Sequence, residues 1–424
     1  MANIIFITSK YWPSPDANGI CVQQIVNQLK SEGHQIICIC VQEDGQLKHE
    51  FFEGVEIFRV KKTLYSIMLE KERESGKKSF YMTLLTLLRR ILSLVFIPIF
   101  PNTEPYRTRK IYRIVESIAH EKPIDCVIGV FRPFEGVAVA QRIKKKYPKI
   151  TCGGYYLDIM KGATIPNIFP KKMYSKLCDG RELKIFNSLD FILMAEAGKI
   201  IYEKPYFKSV KEKINYINFP VFRNIGKEVQ QRIDYDKEYY NIVYAGYLDR
   251  TYRNPTFIFK VIQNLYKKGC KIKLHLYGRN NCIDIINEYC QNNSDNFYYY
   301  GTVDSDKAKE AILSADAVLN ISNKTANIVP SKIFELCSSC KPIINVVTNA
   351  DDVSLEHFSY YPIVCFVEEY KGDIEKETEK LLDFLDHSKD CYLSYDEIEP
   401  LYYSSTPIAT TKIINKCIFE KSDE

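Results

Sequence analysis

Short apolar runs alternate with amphipathic stretches twice along this chain, and that alternation restricts the fold more than any other feature. "NIIFIT" opens the sequence as a strand. A loop rich in Pro, Asp, Asn and Gly follows, "SKYWPSPDANG". Val22, Ile25, Val26 and Leu29 then recur at the spacing of one helical face, Gly33 ends that helix, and "HQIICICV" is a second buried strand. Strand, helix and strand at this spacing make a parallel crossover unit. The pattern resumes with "IDCVIGV", a helix over about Glu135 to Lys146, "ITCGGYY", a further helix and "FILMA". A polar stretch, Phe222 to Tyr239, interrupts it. The alternation then starts afresh with "YNIVYAG", a helix over about Pro255 to Lys268, "IKLHLYG", "FYYYG", "AVLNIS", a helix opening at Pro-Ser-Lys, "PIINVV" and "IVCFV".

The expected fold is therefore α/β, with two Rossmann-like doubly wound domains. The expected boundaries are 1–220, a linker over 221–239, 240–395, and a helical tail over 396–424 that packs back towards the N-terminal domain. Open α/β sheets bind ligands beyond the carboxyl ends of their strands, and two such domains put the default site in a cleft between them.

Bulk properties exclude some functions. A net charge of +5 over 424 residues gives no reason to expect nucleic acid. The start "MANIIFITSKYW" enters a strand directly, without a signal-type leader. Cysteines such as Cys38, Cys40, Cys126 and Cys365 stand inside apolar runs, so reduced core thiols in a cytoplasmic protein are expected. One segment bears on membranes, Ser79 to Phe100. Arg89 and Arg90 split it and neither half reaches the roughly 20 residues of a span. It reads either as a packed helix or as a peripheral contact through Leu84–Phe100 at the inner face of a membrane.

The stretch "NIVPSKIFELCSSCKPII", Asn327 to Ile344, carries the sharpest chemical signal. A helix opening near Pro330 at the carboxyl edge of a sheet offers free N–H groups and a positive dipole end. Lys332 adds a full charge, and Ser331, Lys332 and Glu335 share a face, with Ile333, Phe334 and Cys337 opposite. A lysine suits a phosphate, and a carboxylate one turn on suits a ribose diol. An ordinary surface helix carries such a Lys–Glu pair too.

These residues resemble the nucleotide-sugar motif of the retaining glycosyltransferases of GT-B architecture, family 4 in particular, in a variant similar to enzymes of bacterial surface-polysaccharide pathways. Members carry two glutamates eight positions apart. The second matches Glu335, whereas the first falls at Asn327. The resemblance implies a donor site holding a nucleoside-diphosphate sugar through Gly19, Arg250, Asn323, Asn327 and Ser331, with Arg253, Lys332 and Glu335 acting at the diphosphate and ribose. In "YAGYLDRTYRNP" the family's arginine position after Gly246 is Tyr247, which leaves Arg253 as the main basic residue and Arg250 as second. Asp158, at the end of "YYLDIM", faces the acceptor in this reading or simply caps a helix.

The implied reaction is retaining hexosyl transfer to a hydroxyl, on a lipid-linked saccharide acceptor, with no metal and no cofactor beyond the donor. Two other classes are compatible with the same residues: a nucleotide-sugar epimerase, and a catalytically silent nucleotide-sugar-binding module. "DSD" at Asp304 reads as a helix cap rather than a metal motif, "DYD" at Asp234 falls in the linker, and Cys337 and Cys340 lack the second pair that zinc requires.

Overall fold

The protein, seen in a computed structural model, is described over residues 1–64, 66–67, 70, 83, 87, 91, 101–102, 104–160, 171–293, 295–324, 331–389 and 391–420, with the backbone alone for 171–174. The chain divides into two compact units, Met1–Pro220 with Ser404–Glu424, and Val221–Tyr403.

The first unit is built on a sheet that, among the described residues, has eight strands: β1 Asn3–Ile7, β2 Gln35–Gln42, β3 His49–Phe52, β4 Val55–Lys61, β5 Cys126–Phe131, β6 Thr151–Tyr156, β7 Phe191–Ala195 and β8 Ile214–Ile217. Their order is β3-β4-β2-β1-β5-β6-β7-β8. All neighbours run parallel except β3 and β4. That pair is a hairpin absent from the sequence reading. Glu53 and Gly54 turn it with φ of 46° and 77°, the two left-handed residues that a tight hairpin needs.

Strands β1, β5, β6 and β7 are nearly continuous apolar runs because helices cover both faces of a parallel sheet. The helix Ala17–Ser31 buries the periodic residues identified above, Val22, Ile25, Val26 and Leu29, and the helix Glu135–Lys146 buries Val137, Ala140 and Ile143. The core gathers Ile5, Ile7, Val127, Ile143 and Phe186. The last helix, Pro407–Phe419, lies against Ala17–Ser31, where Thr411 and Asn415 donate to the Glu32 carboxylate at 2.7 and 2.8 Å.

The second unit repeats the plan with β9 Tyr240–Ala245, β10 Ile272–Tyr277, β11 Phe297–Tyr299, β12 Ala317–Ile321, β13 Ile343–Val347 and β14 Val364–Glu368, ordered β11-β10-β9-β12-β13-β14 and parallel throughout. The expected helix over Pro255 to Lys268 is found at Thr256–Lys267. Its own core includes Ile242, Phe259, Leu274 and Ile344. Two doubly wound parallel sheets are thus present, as the sequence pattern implies. Each reverses strand order once, between β1 and β5 and between β9 and β12, and such switch points leave a crevice at the carboxyl edge.

None of the fourteen cysteines is joined in a disulfide, and Cys38, Cys40, Cys126 and Cys365 are buried. No helix among the described residues is long and apolar enough to cross a membrane. The Ser79–Phe100 segment, and with it the Leu84–Phe100 contact, lies outside the described residues apart from positions 83, 87 and 91.

Candidate functional site

The β9/β12 switch point assembles two of the residues singled out in the sequence. After β9 the chain folds into a tight loop held by Asp249. One carboxylate oxygen accepts the N–H groups of Thr251 and Tyr252 at 2.8 and 2.7 Å, and the other accepts the Asn281 amide at 2.6 Å. Accepting the Tyr252 N–H is the main reason the Asp249 carboxyl titrates below its ordinary range. The backbones of Asp249 and Arg253 exchange both hydrogen bonds at 3.1 Å.

This loop delivers Arg253 to the end of β12, where its Nε donates to Asn323 Oδ1 at 2.7 Å. Asn323 is fixed in turn, since its carbonyl accepts the Thr348 hydroxyl at 3.1 Å. Beneath it the buried Asn320, Ser322, Asn345 and Ser354 side chains bond to one another at 2.7 to 3.3 Å. Gly278, at φ 129°, lets the loops after β9 and β10 touch: a Cβ there would stand 2.0 Å from the Gly246 carbonyl oxygen. Tyr247, directly after Gly246, is exposed.

The second assembly is the six-residue helix Lys332–Cys337. Ile333, Phe334, Leu336 and Cys337 are buried, which leaves Lys332 and Glu335 on the outer face. Lys332 Nζ donates to Glu335 Oε2 at 3.0 Å, with side chains 28% and 32% exposed, so the pair forms and stays partly open. Burial pushes the Glu335 carboxyl upward, but Lys332 outweighs it, aided by Arg223 and Lys309, and the net position is below the ordinary range. Arg223 follows β8 and Lys309 sits on the helix Ser305–Ser314; both approach Glu228, at 2.5 and 3.5 Å. Neither cation is legible from the motif, because neither stands within twenty residues of Glu335. Ser331 precedes the helix and offers its carbonyl, not its side chain, to the Glu335 N–H at 3.3 Å. Asn327 and Pro330 lie outside the described residues.

Arg250 is drawn elsewhere. Its guanidinium pairs with the Asp284 carboxylate at the solvent surface, and its N–H donates to Asn281 at 2.8 Å. The two arginines of "LDRTYR" therefore have different surroundings.

In the first unit, Gly19 lies in the opening turn of the helix Ala17–Ser31. Its N–H donates to the capping Asp16 carboxylate at 2.8 Å, and a Cβ would meet the Lys10 carbonyl at 2.3 Å. Close packing of the preceding loop thus explains this glycine without a ligand. The signal was present as Asp three residues ahead of Gly, a cap pattern. Asn18 reaches the carbonyl of Phe131 at 3.3 Å, which ties that helix to the end of β5. Asp158, after β6, is exposed and faces Arg132 at 3.7 Å. Asp304 caps its helix by accepting the Lys307 N–H at 2.8 Å. Among the described residues no group of three or more His, Cys, Asp or Glu side chains is arranged to hold a metal ion.

No protein-family model matches the sequence, and no curated protein does. Solved structures match over almost the whole chain. HepE from Anabaena, in complex with UDP and glucose, is 11% identical with a TM-score of 0.55, covering 98% of this chain and 99% of that one. The catalytic domain of starch synthase IV from Arabidopsis thaliana, bound to ADP and acarbose, is 10% identical with a TM-score of 0.58 over 100% of both chains. A glycosyltransferase from Rickettsia africae is 14% identical with a TM-score of 0.55 over 98% of both. The fold is that of the GT-B glycosyltransferases.

Proposed function

We propose that the protein transfers a hexosyl group from a nucleoside-diphosphate sugar to a hydroxyl acceptor. The observation that carries this reading is Arg253, held on Asn323 at 2.7 Å across the β9/β12 switch point of a chain with GT-B fold. A fixed guanidinium at a carboxyl-edge crevice suits a diphosphate, because it offers several N–H donors in a rigid fork. HepE and starch synthase IV were solved with UDP and ADP respectively, which favours a nucleoside diphosphate as the leaving group here too.

In the proposed reaction the anomeric C–O bond to the β-phosphate breaks and negative charge builds on the departing diphosphate. Arg253 and Lys332 stabilise that charge, and Glu335 accepts the ribose hydroxyls and so fixes the anomeric carbon. The acceptor hydroxyl supplies the new C–O bond and its proton leaves with the diphosphate. Retention of configuration, metal-independence and a lipid-linked saccharide acceptor follow the family resemblance and are part of the proposal, as is attachment to the inner face of a membrane. The contact of Lys332 with Glu335 fits this role, since a bound diphosphate would compete with Glu335 for the lysine.

The test is thermal-shift binding and product detection with UDP- and ADP-glucose against a saccharide panel. The parent should melt higher with nucleoside diphosphate and form a longer saccharide. Arg253→Ala and Glu335→Ala should lose both while remaining folded without ligand, at a cost in stability of no more than about 1 kcal/mol. Binding by both variants at parental affinity would remove the site assignment. An epimerised donor in the absence of acceptor would replace the reaction.

A further inference from the structure

The first unit carries a cavity that the proposed transfer does not use. The loop after β1, the helix Ala17–Ser31 and the β3–β4 hairpin enclose about 110 Å³, lined by Tyr11, Trp12, Gln23, Asn27, Phe52 and Glu53. Trp12 is the single tryptophan of the chain and is 37% exposed. It stacks on Phe52 with ring centroids 3.8 Å apart and planes within 10°. Arg59 fastens this loop from below by donating to the Trp12 carbonyl at 2.7 Å and the Leu47 carbonyl at 3.0 Å. The indole is therefore held flat at the surface rather than folded into the core, where an aromatic ring contributes most to stability.

The polar lining is as specific as the aromatic one. Gln23 and Asn27 stand one helical turn apart on the same face. Neither amide has a hydrogen-bond partner in the protein among the described residues. Glu53 is kept at φ 46°, a left-handed conformation usually left to glycine or asparagine, and its exposed carboxylate completes the rim. No lysine or arginine lines the cavity.

We propose that this cavity is a binding subsite for a neutral saccharide. A pyranose has an apolar face of C–H groups and an edge of hydroxyls. The stacked rings fit the face, the two amides supply donors and acceptors, and the carboxylate accepts hydroxyl protons. The absence of a lining cation disfavours phosphate, and the volume is far below that of a nucleotide pocket. One sugar ring is seated while the rest of its chain runs into solvent. The assignment rests on the cavity's own chemistry and uses none of the residues given to the donor.

Because Trp12 is the sole indole, intrinsic fluorescence of the full chain reads the cavity directly. Maltotriose, cellotriose and triacetylchitotriose are titrated separately. At least one should shift or quench the emission with saturation. Gln23→Ala/Asn27→Ala, which alters only solvent-facing amides, should raise the half-saturating concentration about tenfold or more. Phe52→Ala should weaken it while retaining the reporter. Absence of a saturable response to all three trisaccharides overturns the proposal, as does a parental response from the double variant. Thermal shift with UDP in the same samples reports the donor site separately, so failure of the transferase reading is not mistaken for failure of this one.

Discussion

Replacing Asn323 by Asp changes one atom's worth of chemistry at the residue that holds Arg253, and should move stability and donor binding in opposite directions. The acceptor at 2.7 Å from Arg253 Nε becomes an anion. A carboxylate in that place turns a charge-to-dipole bond into an ion pair. Both groups are only half-buried, so the gain in stability is modest, about 0.5–1 kcal/mol at neutral pH. The sign with pH is fixed by the pairing. The new carboxyl has its folded pKa depressed, so the gain is present above its unfolded value of about 4 and disappears as pH falls through the lower folded value. The guanidinium, meanwhile, is neutralised where a diphosphate should sit. Losing one charge-assisted contact of about 1.5–3 kcal/mol raises the dissociation constant for UDP by roughly ten- to a hundred-fold. Urea unfolding without ligand measures the first effect, and calorimetric titration with UDP measures the second. A variant that is as stable as expected yet binds UDP like the parent would show that Arg253 faces no phosphate, and the proposed leaving-group stabilisation would fail with it.

Other perturbations test separate parts of the molecule. Gly278→Ala must push a Cβ 2.0 Å from the Gly246 carbonyl oxygen at φ 129°, so urea unfolding should show a loss of about 3 kcal/mol or more, or no folded protein. His275 is 4% exposed and burial lowers its pKa to about 4, so the folded state keeps it neutral. The unfolded chain binds the extra proton, and stability should fall by up to about 3 kcal/mol between pH 6.5 and 4, a slope that His275→Gln should flatten in pH-resolved melts. Glu335→Gln should cost under about 1 kcal/mol at pH 7, because the depressed carboxyl contributes stability only above its unfolded pKa. That gap should close below pH 4 in the same melts. Tyr202→Phe removes the donor 2.5 Å from the fully buried Glu182 and should lower the unfolding free energy by about 1–3 kcal/mol.

The doubly wound plan was legible because parallel strands buried on both faces leave continuous apolar runs, and covering helices leave a 3.6-residue period. "NIIFI", "CVIGVF" and "FILMA" are such runs, and all three are strands. The β3–β4 hairpin was not legible. "HEFF" and "VEIFRVK" alternate weakly, and their turn is Glu-Gly rather than the Asn-Gly or Asp-Gly that announces a two-residue hairpin. That turn lends Glu53 to the Trp12 cavity, so the missed hairpin concealed the cavity as well.

The candidate site residues divide along the same physical line. Lys332 and Glu335 were legible as a pair because helical spacing alone brings them together, as their 3.0 Å contact shows. Arg253 and Asn323 are 70 positions apart, and only the reversal of strand order between β9 and β12 makes them neighbours. Each was singled out from its own loop, but their bond was not foreseeable without the topology. Arg223 and Lys309 bear on Glu335 from two further elements, so its electrostatic setting is a property of the folded unit rather than of the motif. The consequence is specific. A segment spanning 331–344 grafted onto another sheet would keep the Lys332–Glu335 contact but lose the two cations that help hold Glu335 ionised. Its carboxyl should then titrate closer to the ordinary 4.5, a difference that NMR titration of the intact chain against Arg223→Ala would expose.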